Sequence, residues 1–320
     1  MRAAVVTEFG GPEVIEVREW PEPAAGEGQV VIDAEVTDVI WVETAIRRGL
    51  NREYFDVTPP YIPGHSVGGR VHAVGPGIDE AWIGKTVIGR TEQFGAHAER
   101  VAVPADSLVE LPEQLDVETA IAALGDGLTT LLLEKSAPDL AGKEVLITAA
   151  AGGMGLLLIQ MAHKAGAHVV AAARGQAKLD LAKAQGADVV IDYTLPGWEK
   201  LVLEATNGVD VVFEGAGGAF GAAAFSTVKD GGWFSAHGTP SGSFAQYDEA
   251  EAKRRGITTQ GIRDVQADSY QVSHSDVIGR VLAGDLVPVI DRVFAFDELG
   301  EAHRAIEDRA LLGKALLRIR

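Results

Sequence analysis

Apolar residues in the first third of the chain recur with a period near two and are cut often by turn residues. "QVVIDAEV" from Gln29 alternates, "SVGGRVHAVGPG" from Ser66 is broken by glycines, and "GKTVIGR" and "AERVAVP" are short apolar runs between turns. Such punctuation predicts a small, irregular, barrel-like β-domain. One stretch changes period: in "VIWVETAIRRG", Val39, Val42, Ala45 and Ile46 fall on one helical face, and Gly49 stands where a helix C-cap belongs.

From about residue 116 the rhythm becomes strand and helix in alternation. "EVLITAA", "HVVAAA", "DVVIDY", "VDVVFEGA" and "GGWFSAHG" read as strands, and "GLLLIQMAHKAG", "QAKLDLAKAQG" and "WEKLVLEAT" as the helices between them. Strands that are apolar throughout, joined by amphipathic helices, predict a parallel sheet covered on both faces, an α/β doubly wound fold. The last part adds the helix "SDVIGRVLAGDL", the strand "VIDRVFAF", the helix "LGEAHRAIEDRALLG" and the strand "KALLRIR". A closing strand so short and apolar is explained if the tail returns to the first domain. The expected division is therefore 1–115, 116–260 and a returning segment 261–320.

Composition narrows the classes of function. Over 320 residues, 47% hydrophobic and 23% charged side chains are the balance of an ordinary soluble globular protein. The formal charge, 28 basic minus 46 acidic side chains or −18, sets a field that repels nucleic-acid phosphates and anionic membrane surfaces. No run approaches the roughly 18 consecutive apolar residues of a membrane span. The opening residues read as strand, turn and strand rather than a secretory leader. With no cysteine in the sequence, disulfides and thiolate metal sites are excluded, and a cytoplasmic protein is expected.

Candidate chemistry begins where the strand "EVLITAA" runs into Ala149-Ala150-Ala151-Gly152-Gly153-Met154-Gly155 and then into a helix. Glycines let the backbone approach a ligand, and a helix N-terminus offers unpaired N–H groups and partial positive charge to a pyrophosphate. Between a strand and a helix in the first βαβ unit of a doubly wound pattern, the residues Ala151, Gly152, Gly153, Met154 and Gly155 are expected to bind a dinucleotide. The second strand selects which one. It ends in "ARGQAK", with Arg174 and Lys178 and no acid before Asp180. Cations without a ribose-binding carboxylate fit a 2′-phosphate, so NADPH is preferred.

The sequence resembles the medium-chain dehydrogenase/reductase superfamily, in its zinc-independent quinone oxidoreductase branch. The likeness covers essentially the whole chain and rests on "GGPEVIEV", "PYIPGHSVGGRVHAVGPG", "GLTT", "AAAGGMG", "GADVVIDY" and "VIDRVFAFDELGEAHRAIED" followed by "GKALLRI". The resemblance implies a GroES-like catalytic domain, a Rossmann domain and a homodimer. It places Lys178 and Tyr193 at the 2′-phosphate, Thr129 near the nicotinamide and Gly238 in a loop approaching the cofactor.

Departures from the branch bear on the substrate. The positions that hold catalytic zinc in metal-dependent relatives match Ile40, His65 and Asp126, and Ile40 cannot ligate. A site of Glu43, His65 and Asp126 is a conceivable replacement, although no resident metal is expected. Ile40 and Ala45 also stand where the branch often carries an asparagine and a tyrosine. Tyr54, Tyr61, His65 and Asp126 remain as candidate catalytic groups, with a satisfied loop histidine the plainer reading of His65. The expected reaction is hydride transfer from NADPH to a small-molecule quinone or α,β-unsaturated carbonyl. The alternatives are an enoyl-thioester or biosynthetic double-bond reductase and a non-catalytic NADPH-binding redox sensor.

Overall fold

The computed structural model describes residues 1–50, 52, 55–262, 264 and 272–320. They form two compact units. The first comprises Met1–Gly125, His274–Leu282 and Val289–Arg320, and the second Asp126–Ser273 and Ala283–Pro288.

In the first unit, β1 (Arg2–Val6) and β2 (Ile15–Glu19) pair antiparallel. The larger sheet is built on β3 (Gln29–Val39), which is followed by helix α1 (Trp41–Arg47). Its other strands are β4 (Ser66–Val74), β5 (Thr86–Arg90), β6 (Arg100–Pro104) and β7 (Val109–Glu110). Two strands join them from the far end of the chain, β14 (Ile290–Ala295) and β15 (Lys314–Arg318). The order is β14-β15-β3-β4-β5-β7, with β6 also on β3. Residue β15 Leu316 lies opposite β3 Asp38.

Helix α1 forms where the period changes, and Gly49 adopts φ +73° just beyond its end. Its buried side differs from the expected apolar stripe. Ala45 and Ile46 are inside, but Glu43 and Arg47 are too, and Val42 is only half-buried. The reason is ionic pairing, described below.

Helix α2 (Val117–Ser136) carries the boundary between the units at Gly125/Asp126. The second unit then alternates as the pattern predicts: β8 (Glu144–Thr148), α3 (Gly153–Lys164), β9 (His168–Ala173), α4 (Gln176–Ala184), β10 (Val189–Asp192), α5 (Trp198–Thr206) and β11 (Val209–Glu214). It continues through α6 (Gly218–Ser226), β12 (Val228–Ala236), α7 (Glu249–Arg254) and β13 (Thr258–Gly261). The strands make one parallel sheet of order β10-β9-β8-β11-β12-β13. Leu146, Val170, Val212 and Phe234 are fully buried in its core. Each such side chain contributes about 1.5–3 kcal/mol by leaving water. The helices α8 (His274–Leu282) and α9 (Leu299–Glu307) belong to the first unit.

Candidate active site

The glycine break is a strained turn feeding a bare helix end. Ala149, directly after β8, sits at φ +52°, a left-handed conformation that alanine rarely takes outside sites held by their surroundings. Gly152 caps α3 with extended backbone and no side-chain hydrogen bond, and the first turn of α3 carries no acid. Its amides are thus left for an anion, which is the donor set a pyrophosphate needs. Gly155 brings helix and turn together: a Cβ there would lie 2.6 Å from Ala149 O and 2.8 Å from Ala150 Cα. Ala151 and Gly155 are buried, whereas Gly152 is exposed and Gly153 and Met154 are half-buried. The turn fits a dinucleotide phosphate.

At the end of β9, Arg174 is exposed, and Lys178 lies half-buried in the first turn of α4. The nearby acid comes from the neighbouring strand. Asp192 Oδ2 accepts the Gly175 N–H at 3.0 Å, and Oδ1 accepts both the N–H and the hydroxyl of Thr194 at 2.9 and 2.6 Å. Burial raises its pKa, but these bonds and the Arg174 charge prevail and hold it below the usual carboxylate value. Tyr193 follows, with its ring packed on Phe220 (centroids 4.6 Å apart) and Trp198 (6.3 Å), at 5% exposure.

The ends of β8, β11 and β12 are tied together by a residue that sequence reasoning missed. Glu214 Oε1 accepts the Thr148 hydroxyl at 3.0 Å and the N–H groups of Ala216 and Gly217 at 2.8 Å each. Thr148 Oγ1 in turn accepts the Gly215 N–H at 2.9 Å. Burial pushes the Glu214 carboxyl pKa up despite these donors. Gly238 packs backbone on backbone, since a Cβ on it would lie 2.0 Å from Gly215 O. An acid closing an apolar strand, as in "VVFEGA", is the one signal that marked Glu214 in advance.

His237 is the first residue after β12; its N–H donates to Glu214 O at 3.0 Å, and its Nδ1 is 2.9 Å from Ser235 Oγ. Burial lowers its pKa to about 3, so the folded protein holds it neutral. An unfolded histidine takes up a proton near pH 6.5. The stability this supplies is full above pH 6.5 and is lost as pH falls from there toward 3, by up to about 1.4 kcal/mol per pH unit. Urea midpoints measured from pH 7 to 4 are expected to fall, and less steeply in His237→Gln; an unchanged slope in that variant would assign the loss to other groups.

Asp126 and Thr129 lie half-buried on α2 in the second unit, where Asp126 O accepts the Thr130 hydroxyl at 2.8 Å. In the first unit, Tyr61 and His65 both pack edge-on against Phe94, with ring centroids 6.0 and 4.7 Å away. Tyr61 Oη and His65 Nδ1 are buried without a hydrogen-bond partner among the described residues. Burial and the Glu43 carboxylate raise the Tyr61 pKa, whereas burial lowers that of His65. Tyr61 is therefore a neutral phenol and His65 a neutral imidazole. Tyr54 lies outside the described residues.

Glu43 is committed elsewhere. Its Oε2 lies 3.0 Å from His97 Nε2 and 3.6 Å from His303 Nε2, and His97 Nδ1 meets Thr37 Oγ1 at 2.8 Å. Burial alone would raise this carboxyl, but the two imidazoles hold it down at about 2. Arg47, wholly buried one turn along α1, pairs with Glu307 of α9. With Ile40 unable to ligate and Glu43 bound by His97 and His303, the donor set does not fit a catalytic zinc. Among the described residues no group of His, Asp and Glu is arranged to hold a metal.

Comparison with known proteins agrees with this architecture. Residues 26–113 match the Alcohol dehydrogenase GroES-like domain and residues 153–274 the Zinc-binding dehydrogenase family. A probable quinone oxidoreductase of Schizosaccharomyces pombe is 32% identical, over 98% of this chain and 95% of its own. An NADPH-dependent alkenal/one oxidoreductase of Arabidopsis thaliana is 28% identical, over 99% of this chain and 79% of its own. A solved mycobacterial structure complexed with NADPH superposes with a TM-score of 0.88 at 29% identity, covering all of both chains. The chain belongs to the medium-chain dehydrogenase/reductase superfamily, in its quinone oxidoreductase branch.

Proposed function

We propose that the protein is an NADPH-dependent, zinc-independent oxidoreductase that reduces quinones or alkenes conjugated to a carbonyl. The observation that carries the cofactor is the strained turn at Ala149 feeding the uncapped end of α3, with Arg174 and Lys178 after the next strand. Ala151, Gly152, Gly153, Met154 and Gly155 would hold the pyrophosphate. Arg174, Lys178 and Tyr193 would take the 2′-phosphate, with Thr129 and Gly238 toward the nicotinamide. Bound NADPH supplies the hydride.

Charge then develops on the acceptor's carbonyl oxygen, and a preorganised donor stabilises it. Tyr61 is our candidate: its hydroxyl is protonated, and its oxygen is buried with no partner among the described residues. His65 lies beside the same Phe94 ring, and Tyr54 and Asp126 remain further candidates for the role. Apolar Ile40 and Ala45 favour an aromatic or alkyl acceptor. The names of the yeast and plant relatives support the two acceptor classes. A cytoplasmic homodimer paired along an edge of the parallel sheet belongs to the same reading; light scattering giving one chain mass would remove it.

The test follows NADPH and NADH oxidation in the presence of quinones, enones and enoyl thioesters. Turnover with NADPH on a quinone or enone is expected, and turnover on thioesters alone would reassign the substrate. In the Arg174→Ala/Lys178→Ala variant the preference for NADPH over NADH is expected to drop by at least tenfold, since each cation contributes a charge-assisted contact. Equal losses for both cofactors would sink the 2′-phosphate assignment.

A further inference from the structure

Three titratable side chains of the first unit are sealed together and have no part in the reading above. Glu43 of α1, His97 before β6 and His303 of α9 are each at most 1% exposed. His97 is held on several sides. Its Nε2 lies 3.0 Å from Glu43 Oε2 and its Nδ1 2.8 Å from Thr37 Oγ1, while its N–H donates to Pro63 O at 3.0 Å. A Cβ on Gly64 would lie 2.8 Å from the same Nδ1, so the ring packs against the segment that carries Tyr61 and His65. That segment is itself fixed, because Tyr61 and Val6 exchange both backbone hydrogen bonds, at 2.9 and 3.2 Å.

The Glu43 carboxylate acts on this segment. After burial it is the foremost influence that raises the Tyr61 pKa, with Arg47 opposing it. Burial lowers the pKa of His65, and Glu43 is the first charge that resists the fall; Asp38 resists it too, and Arg90 and His97 add to it. Glu43 Oε1, Tyr61 Oη and both ring nitrogens of His303 are buried with no hydrogen-bond partner among the described residues. Charge balance then decides what the cluster holds. A carboxylate shut away from water requires a compensating positive charge. Arg47 is committed to Glu307 of α9, with Glu13 also attracting it and Arg48 repelling it.

We propose that Glu43, His97 and His303 form a proton reservoir that re-protonates Tyr61 after each reduction. The compensating charge is one proton shared by the two imidazoles. When the acceptor takes the hydride, its π pair moves onto the carbonyl oxygen, and the Tyr61 O–H bond breaks as that oxygen binds the proton. An imidazolium N–H bond then breaks, and Glu43 passes the proton to the phenolate. The imidazoles regain one proton from solvent, which is the proton the overall reaction consumes alongside NADPH and the acceptor. The three residues act through Tyr61 and do not touch the acceptor.

The inference rests on the reductase reading above, and two measurements keep their failures apart. In the free protein, nitrogen-15 NMR is expected to show one imidazolium shared by His97 and His303 at about pH 8, and two neutral rings in Glu43→Gln. Two neutral rings in the wild type would overturn the proposal. In stopped flow with a quinone, Glu43→Gln is expected to complete its first turnover at the wild-type rate, because Tyr61 starts with its own proton. Its steady-state kcat should then fall about 10- to 100-fold with KM little changed, and fall further as pH rises, since solvent must now supply the proton. A first turnover slowed as much as the later ones would make Glu43 a structural residue and overturn the proposal. If Glu43→Gln does not fold, the same comparison is made in His303→Gln, which keeps the contact of Glu43 with His97. Tyr61→Phe turning over like the wild type would overturn the reservoir and leave the reductase reading standing. A wild type that reduces no acceptor would remove that reading and the relay with it, whatever charge the imidazoles carry.

Discussion

Lys314→Met is expected to destabilise the first unit by about 3–5 kcal/mol, the range found when one partner of a buried ion pair is removed. Lys314 Nζ lies 3.0 Å from Asp38 Oδ2, and the two side chains are 5% and 2% exposed. They are diagonal neighbours on one face of the β15/β3 pair, because Leu316 is opposite Asp38. That face also carries Val36 and Leu316, which pack in one apolar cluster with Ala120, Ile121 and Leu124 of α2. Gly125 adds to the enclosure, since a Cβ there would come within 3.5 Å of Asp38 Oδ2. Removal of the ammonium would leave a carboxylate in that setting whose Oδ1 has no partner among the described residues. The double variant Asp38→Leu/Lys314→Met should recover most of the loss, because the expense of the pair is the desolvation of both charges. Urea unfolding reads both results; a single variant within 1 kcal/mol of wild type would mean that water reaches the pair.

Neither this pair nor the Glu43 cluster was legible in the sequence. Periodicity reports which face of an element is apolar, and on α1 it pointed to Val42, Ala45 and Ile46. It is silent about a charged residue whose partner lies far along the chain. Glu43 is buried because His97 and His303 reach it from 54 residues away and from α9, and Arg47 because Glu307 does. Helix α6 was missed for a different reason. "GAFGAAAFS" is apolar on all sides, so it has no polar stripe to set a period. The alternation of the second unit was legible from Glu144 to Glu214, because a parallel sheet covered on both faces demands apolar strands. The glycine break was legible too, since the close approach of Gly155 to the backbone of Ala149 and Ala150 leaves no other residue type at that position. That Glu214 meets Thr148 depends on β8 and β11 lying side by side, and only the folded chain shows that.

The glycine break supports the second large effect, a loss of about 10- to 100-fold in NADPH affinity for Gly155→Ala. The added methyl would sit 2.6 Å from Ala149 O and 2.8 Å from Ala150 Cα. Both are backbone atoms, so no side-chain rotation relieves the contact; the turn or the end of α3 has to move. Ala149 already occupies a left-handed conformation and has little room to give. Displacing the helix end by a few tenths of an ångström lengthens its hydrogen bonds to a phosphate, and one to two bonds to a charged group at about 1.5 kcal/mol each give the stated range. The same overpacking should reduce stability by about 1–3 kcal/mol. Gly152→Ala is the control. Its Cβ would lie 3.4 Å from Ala149 O, close to ordinary contact, and its φ of −81° suits any residue. It should therefore leave the urea midpoint nearly unchanged, and weaken NADPH only because the methyl occupies the space a phosphate needs. Calorimetry with NADPH and urea unfolding on both variants separate the two mechanisms. If Gly155→Ala bound NADPH as well as wild type, the tight seating of α3 on the turn would not be what shapes the phosphate site.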